Sequence, residues 1–197
     1  MKWLSLLIVL LSATALAASP QPVVPLPAEE VPGAAWGQPV DGLRLRLLPD
    51  RHEGAADTQG GFCAAFENVS DHGMLLYLGM MLANGDKMYP TCFRLLVSDE
   101  KGITRELTID EPAVAGRIDD YVVSLRPRST YMLTMRFDEF TDAKIWKRGL
   151  PPGRWSVVAV FESKGPYSEK LKILRFWKGR AESNACLFDL SPAGGEK

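Results

Sequence analysis

The stretch that most constrains this chain is Leu150-Pro151-Pro152-Gly153-Arg154-Trp155-Ser156-Val157-Val158-Ala159-Val160-Phe161-Glu162. It opens on a Pro-Pro-Gly turn, where proline fixes φ and glycine permits the angles a tight turn needs. It then runs into β-branched and aromatic residues, the side chains that fit a pleated surface. Alternation puts Trp155, Val157, Ala159 and Phe161 on one face and Ser156, Val158, Val160 and Glu162 on the other. One face is wholly apolar and the other mixed, the pattern of a central strand in a sandwich.

Other segments repeat this form. Leu43, Leu45 and Leu47 alternate with Arg44, Arg46 and Leu48. Strands are also expected at 62–67, 74–83, 93–97, 103–109, 121–125, 130–137, 171–176 and 185–190. Between them stand turn signals: Asn68-Val69-Ser70-Asp71, Asn84-Gly85, Asp99-Glu100-Lys101-Gly102 and Arg126-Pro127-Arg128-Ser129. A helical turn is expected within 138–147, with Phe140 and Ile145 facing inward. No segment reads as a long helix. The fold class is therefore all-β, an antiparallel immunoglobulin-like or fibronectin-type β-sandwich of about seven to nine strands.

The first 17 residues read as a signal peptide. Lys2 is followed by a run from Trp3 to Leu11 that is apolar except for Ser5, and Ala15-Leu16-Ala17 is a small-x-small cleavage site. That run is too short to span a bilayer, which takes about 20 residues. No cysteine stands at the cleavage site to accept a lipid. Residues 18–40 hold six prolines and read as a linker, 41–190 as the sandwich and 191–197 as a tail. The expected location is periplasmic or secreted, with no membrane span after cleavage. A formal net charge of −1 gives no basic stripe for nucleic acid.

Cys63, Cys92 and Cys186 are the three cysteines. An oxidising compartment allows one disulfide, with Cys63–Cys92 the favoured pair and three isolated thiols the equal alternative. Their wide spacing carries no zinc signature.

Catalytic chemistry is hard to place. The two histidines, His52 and His72, both lie in expected loops, and no Gly-x-Ser-x-Gly elbow exists for a nucleophilic serine. Asn68-Val69-Ser70 matches a glycosylation acceptor, although a turn explains the same residues. His72 and Met74, followed by Met80, Met81 and Met88, have the soft donors that suit copper(I). Yet methionine also fills irregular apolar gaps, and neighbouring Met80 and Met81 point to opposite faces of a strand. The pairs Asp119-Asp120 and Asp138-Glu139 lack calcium-loop spacing and read as solvated turn charges. The connection 111–117 can carry a binding loop, and Tyr89, Tyr121, Trp146 and Tyr167 can form surface contacts. No cofactor is implied.

Several turns resemble those of exported bacterial immunoglobulin-like sandwich proteins, a group also reminiscent of proteinase-inhibitor-like sandwiches. Phe66-Glu67-Asn68-Val69-Ser70 resembles their strand-end motif. Leu125-Arg126-Pro127 resembles their Leu-x-Pro-Gly turn, with Arg128 where glycine is usual. Leu150-Pro151-Pro152-Gly153-Arg154-Trp155 and Trp177-Lys178-Gly179 with Ser183-Asn184 resemble their later turns. The resemblance spans about residues 40–190. It implies the fold and export, and leaves the function to the site.

Three functions follow as expectations. The first is a non-enzymatic module binding a protein partner through loops or an edge strand. The second is an envelope copper-binding protein using His72 and Met74, and the third is a peptidase inhibitor. Export makes a direct prediction: intact mass of the protein recovered from its native envelope begins at Ala18, and a mass retaining Met1 to Ala17 overturns it.

Overall fold

A computed structural model provides the structure and describes residues 35–50, 60–110, 116–142, 144, 147–166, 171 and 174–190. The signal peptide, residues 18–34 of the linker, the 191–197 tail, His52, residues 111–115, Ile145, Trp146 and Tyr167 lie outside the described residues.

The described residues are all-β, with thirteen strands and a 3₁₀ turn at Phe137–Glu139. In chain order the strands are β1 (Leu43–Pro49), β2 (Gly61–Asn68), β3 (Met74–Leu82), β4 (Met88–Tyr89), β5 (Phe93–Ser98), β6 (Thr104–Thr108) and β7 (Ile118–Leu125). They continue with β8 (Thr130–Arg136), β9 (Thr141–Asp142), β10 (Lys147–Arg148), β11 (Gly153–Ser163), β12 (Gly179–Glu182) and β13 (Cys186–Leu190). Three antiparallel sheets result. One has the order β1-β2-β8, one β4-β3-β7, and the largest β10-β9-β6-β5-β11-β12, with β13 also on β11.

β11 is the hub. On one side it pairs with β5, from Ser156↔Ser98 to Phe161↔Phe93. On the other, its first half pairs with β13 and its second with β12. Trp155, Val157, Ala159 and Phe161 are buried, as their alternation demands, and Val160 on the opposite face is buried too. Phe66 of β2 meets Phe161 edge-on at 5.3 Å, and Phe62 lies 6.5 Å from Phe93 of β5. The inner faces thus share one apolar core, to which each fully buried phenylalanine adds about 1.5–3 kcal/mol of transfer free energy. On the outer face Arg94 binds Glu162 at 2.6 Å, and Arg180 reaches both Glu162 and Glu182.

Three expectations are corrected. The strand count exceeds seven to nine because β4, β9 and β10 are two-residue strands and β12 is a short polar one, all without a periodic signature. The described residues of 171–176 form no strand: Leu174 is exposed, and Phe176 makes a single parallel bridge, to Leu75. The pairing goes instead to polar Gly179-Arg180-Ala181-Glu182, where Ala181 alone faces the core. Finally, the linker does not run to residue 40. Gly37 donates to the Leu45 carbonyl at 2.8 Å. It lies so close to the Glu182 carbonyl that a Cβ would come within 1.8 Å of that oxygen, so only glycine fits. Trp36 stacks under the guanidinium groups of Arg44 and Arg46, and its carbonyl accepts from Asn184. The Trp177 indole donates to Val40.

The Asn68-Val69-Ser70 segment is a turn with a buried anchor. Asn68 is fully buried, and its amide donates to the carbonyls of His72, Leu125 and Arg126. Its side-chain oxygen accepts from the backbone and hydroxyl of Ser70. One side chain therefore ties the end of β2 to the β7–β8 turn. The amide is sealed from any glycan in the folded protein. Asn68→Ala strips donors from buried carbonyls, and its expected cost is about 2–3 kcal/mol in urea unfolding. A loss under about 0.5 kcal/mol would refute the anchor, since that is the range of ordinary surface changes.

Candidate interaction groove

β7 and β8 are consecutive, yet they part into different sheets. Arg128 in their connection has φ 57, a left-handed backbone that glycine adopts more readily. Across the split, the hydroxyls of Tyr121 and Tyr131 lie 2.5 Å apart. β8 then pairs with β2 alone, from Gly61↔Arg136 to Glu67↔Thr130. The opposite edge of β8, from Leu133 to Arg136, opens into a groove of about 860 Å³.

The direction of each β8 backbone group follows from the register. Phe137 donates to Gly60, and Asn68 donates to Ser129. Both pairs continue the β2–β8 register, so odd-numbered residues of β8 bond to β2. Even-numbered residues turn their N–H and C=O outward. The Arg136 N–H agrees: it points away from β2 and is taken by the Glu139 carboxylate at 2.9 Å. Among the described residues, Met132 and Thr134 have no backbone partner on that side. Side chains alternate with the same parity. Leu133 and Met135 are buried, and Met132 and Thr134 are exposed.

The facing rim is β4. It pairs with β3 through Met80↔Tyr89 and Met81↔Met88, beside the bulge that β3 makes against β7 at Tyr77/Gly79, with Gly79 at φ 143. A Cβ on Gly79 would sit 2.4 Å from the Tyr89 carbonyl and 2.6 Å from the Thr91 amide. Only glycine lets Tyr89, Pro90 and Thr91 come this close, which brings Met88 and Tyr89 to the groove. Met88, Tyr89, Pro90, Ile109, Leu133 and Met135 supply the apolar lining. Several of the lining charges have local partners. Arg136 pairs with Asp138 at 3.2 Å, Asp110 accepts from Thr141, Asp86 binds Asn84, and Lys87 lies over the Tyr89 ring.

The sequence candidates fall elsewhere. The His72 side chain is 73% exposed and its ring lies 3.1 Å from Asp71, while Met74 is buried in the core. They diverge, so the copper pair is not assembled. Met80 and Met81 pair across to Tyr89 and Met88, on opposite faces of β3. No cluster of three His, Cys, Asp or Glu side chains suited to a metal occurs among the described residues. Asp119 and Asp120 lie on edge strand β7; burial, neighbouring Asp119 and the Tyr77 hydroxyl act on Asp120, with the net effect of raising its pKa. Asp138 and Glu139 rim the groove. Tyr89 lines the groove and Tyr121 is buried; burial and the Tyr131 hydroxyl push its phenol up.

Cys63, Cys92 and Cys186 are all free thiols. The favoured Cys63–Cys92 bridge is not formed. Cys63 sits on the outer face of β2, opposite core-facing Phe62, with Thr134 Oγ1 at 3.8 Å. Cys92 precedes β5 in the largest sheet and packs against the core.

β8 was in the sequence reading, but its place at the edge of a sheet was not, because sheet order is invisible in one strand's alternation. The only local signal is its low charge: Arg136 is the sole charged residue in Thr130-Tyr131-Met132-Leu133-Thr134-Met135-Arg136. No helix among the described residues is long and apolar enough to cross a membrane. No known protein-family model matches the chain, and no curated protein matches it.

Burial and the nearby Glu162 carboxylate push the Cys92 thiol up to about 11, and burial raises Cys63 and Cys186 as well. At pH 8 a thiol at that value holds about a hundredth of the thiolate of an ordinary cysteine. Iodoacetamide labelling followed by mass spectrometry should find Cys92 about a hundredfold slower than a free thiol in the native protein and normal in urea. Fast native labelling of Cys92 contradicts the assigned environment, and no labelling in urea shows a bridge.

Proposed function

We propose that this chain is an exported, non-enzymatic immunoglobulin-like sandwich that holds a protein partner in the groove between β8 and β4. The observation that carries the reading is the β8 edge itself. Natural sheets blunt their edges with charge, shortness or cover. Here β1 is covered by Trp36–Val40, β7 carries Asp119 and Asp120, and β4 and β10 are two residues long. β12 and β13 lie alongside β1. β8 has seven residues, one charge and a groove beside it. Exposed Met88 on the opposite rim adds an adaptable apolar contact. The signal-peptide pattern and the small net charge support an extracytoplasmic protein that does not bind nucleic acid.

The test is site-specific photocrosslinking in the native envelope. A photoreactive residue at Met88, on the groove rim, is compared with one at Ile103, exposed on the β5–β6 turn. Discrete protein adducts at position 88 and none at 103 are expected. Equal adducts at both positions, or none at 88, overturn the proposal.

A further inference from the structure

We infer that the groove receives an extended polypeptide segment with apolar side chains at alternate positions, which joins β8 as an added strand. The inference rests on the reading of this groove as a protein-binding site and names the kind of partner. Three observations lead to it. First, Met132 and Thr134 present two N–H and two C=O groups outward, so a neighbouring strand gains up to four backbone hydrogen bonds. Second, the parity that turns these groups outward also sets the added strand's side chains. In a pleated sheet neighbouring strands share their faces, so every second side chain of the newcomer falls on the apolar face with Leu133 and Met135. The others fall on the solvent face beside Met132 and Thr134. Third, the lining carries four carboxylates, on Asp86, Asp110, Asp138 and Glu139, and three cations, on Lys87, Arg136 and Arg148, a near balance that favours a segment of low net charge.

The shape selects a single segment over a second copy of this chain. β8 is recessed between the Asp86–Pro90 rim and the rim at Asp138, Glu139 and Arg148. A second copy would bring its own two rims against these before the β8 edges met. A lone strand carries no such rims. Its length is limited at one end by Glu139, which already holds the Arg136 N–H.

Phage-displayed random heptapeptides selected on the purified protein test the inference, with Thr134→Pro and Thr134→Val as counter-targets. The Thr134 N–H faces away from β2, so proline there deletes an edge donor and leaves the β2 ladder intact. Selected peptides should show period-two apolar patterning, bind Thr134→Val equally, and lose at least tenfold in affinity for Thr134→Pro. Should Thr134→Pro fold poorly by circular dichroism, N-methylation scanning of a selected peptide replaces it. Methyl groups in one alternating frame should abolish binding to the unmodified protein, and those in the other frame should not. Enrichment without period two, no enrichment, or equal binding to Thr134→Pro overturns strand addition. So does sedimentation showing a dimer that Thr134→Pro dissolves, which assigns the edge to a second copy. If adducts at Met88 persist while the peptide results fail, the groove still binds protein and only the mode is wrong.

Discussion

Backbone pairing along both sides of β11 is the constraint on which the rest of the structure depends. β5 occupies one side, and β12 and β13 divide the other. A strand fixed in this way cannot slip by one residue without turning Trp155, Val157, Ala159 and Phe161 away from the core. Those side chains receive Phe66, and through Phe161 they stack on Trp177 at 5.3 Å. Trp177 in turn holds Val40 through its indole N–H. Pairing in the largest sheet is thereby carried to the cover over β1.

Much of this was legible from alternation alone. β1, β5 and β8 bury every second residue over most of their length, β2, β3 and β11 are apolar runs closed by turn residues, and each is a strand close to the expected bounds. The misses have one physical cause: pairing is made by backbone groups, and side chains report it only where they are buried. Gly179-Arg180-Ala181-Glu182 pairs with β11 although only Ala181 reaches the core, whereas apolar Leu174 is exposed and Phe176 makes only a single bridge. The copper candidates show the same limit. His72 and Met74 are two residues apart in sequence, but one ends in solvent and the other in the core.

The groove was less legible than the fold. Its apolar residues come from three separate places along the chain, and nothing within one place announces the others. What brings β4 to the rim is a missing Cβ at Gly79, seen only once the Tyr89 and Thr91 backbones are in position. The low charge of β8 was readable. Its meaning depends on the neighbouring edges being covered, shortened or acidic, and that is a property of the assembled sheets.

The hold of Glu139 on the Arg136 amide bears on how long a complex at this edge lasts. With that amide occupied, the added strand bonds chiefly to Met132 and Thr134, and each bond contributes roughly 1 kcal/mol after exchange with water. Contacts this small sit at the transient end of protein interfaces, where differences in affinity are expressed mainly as dissociation rate. A segment bound there would leave quickly and be replaced by another. Such turnover suits repeated sampling of many chains better than permanent assembly with one.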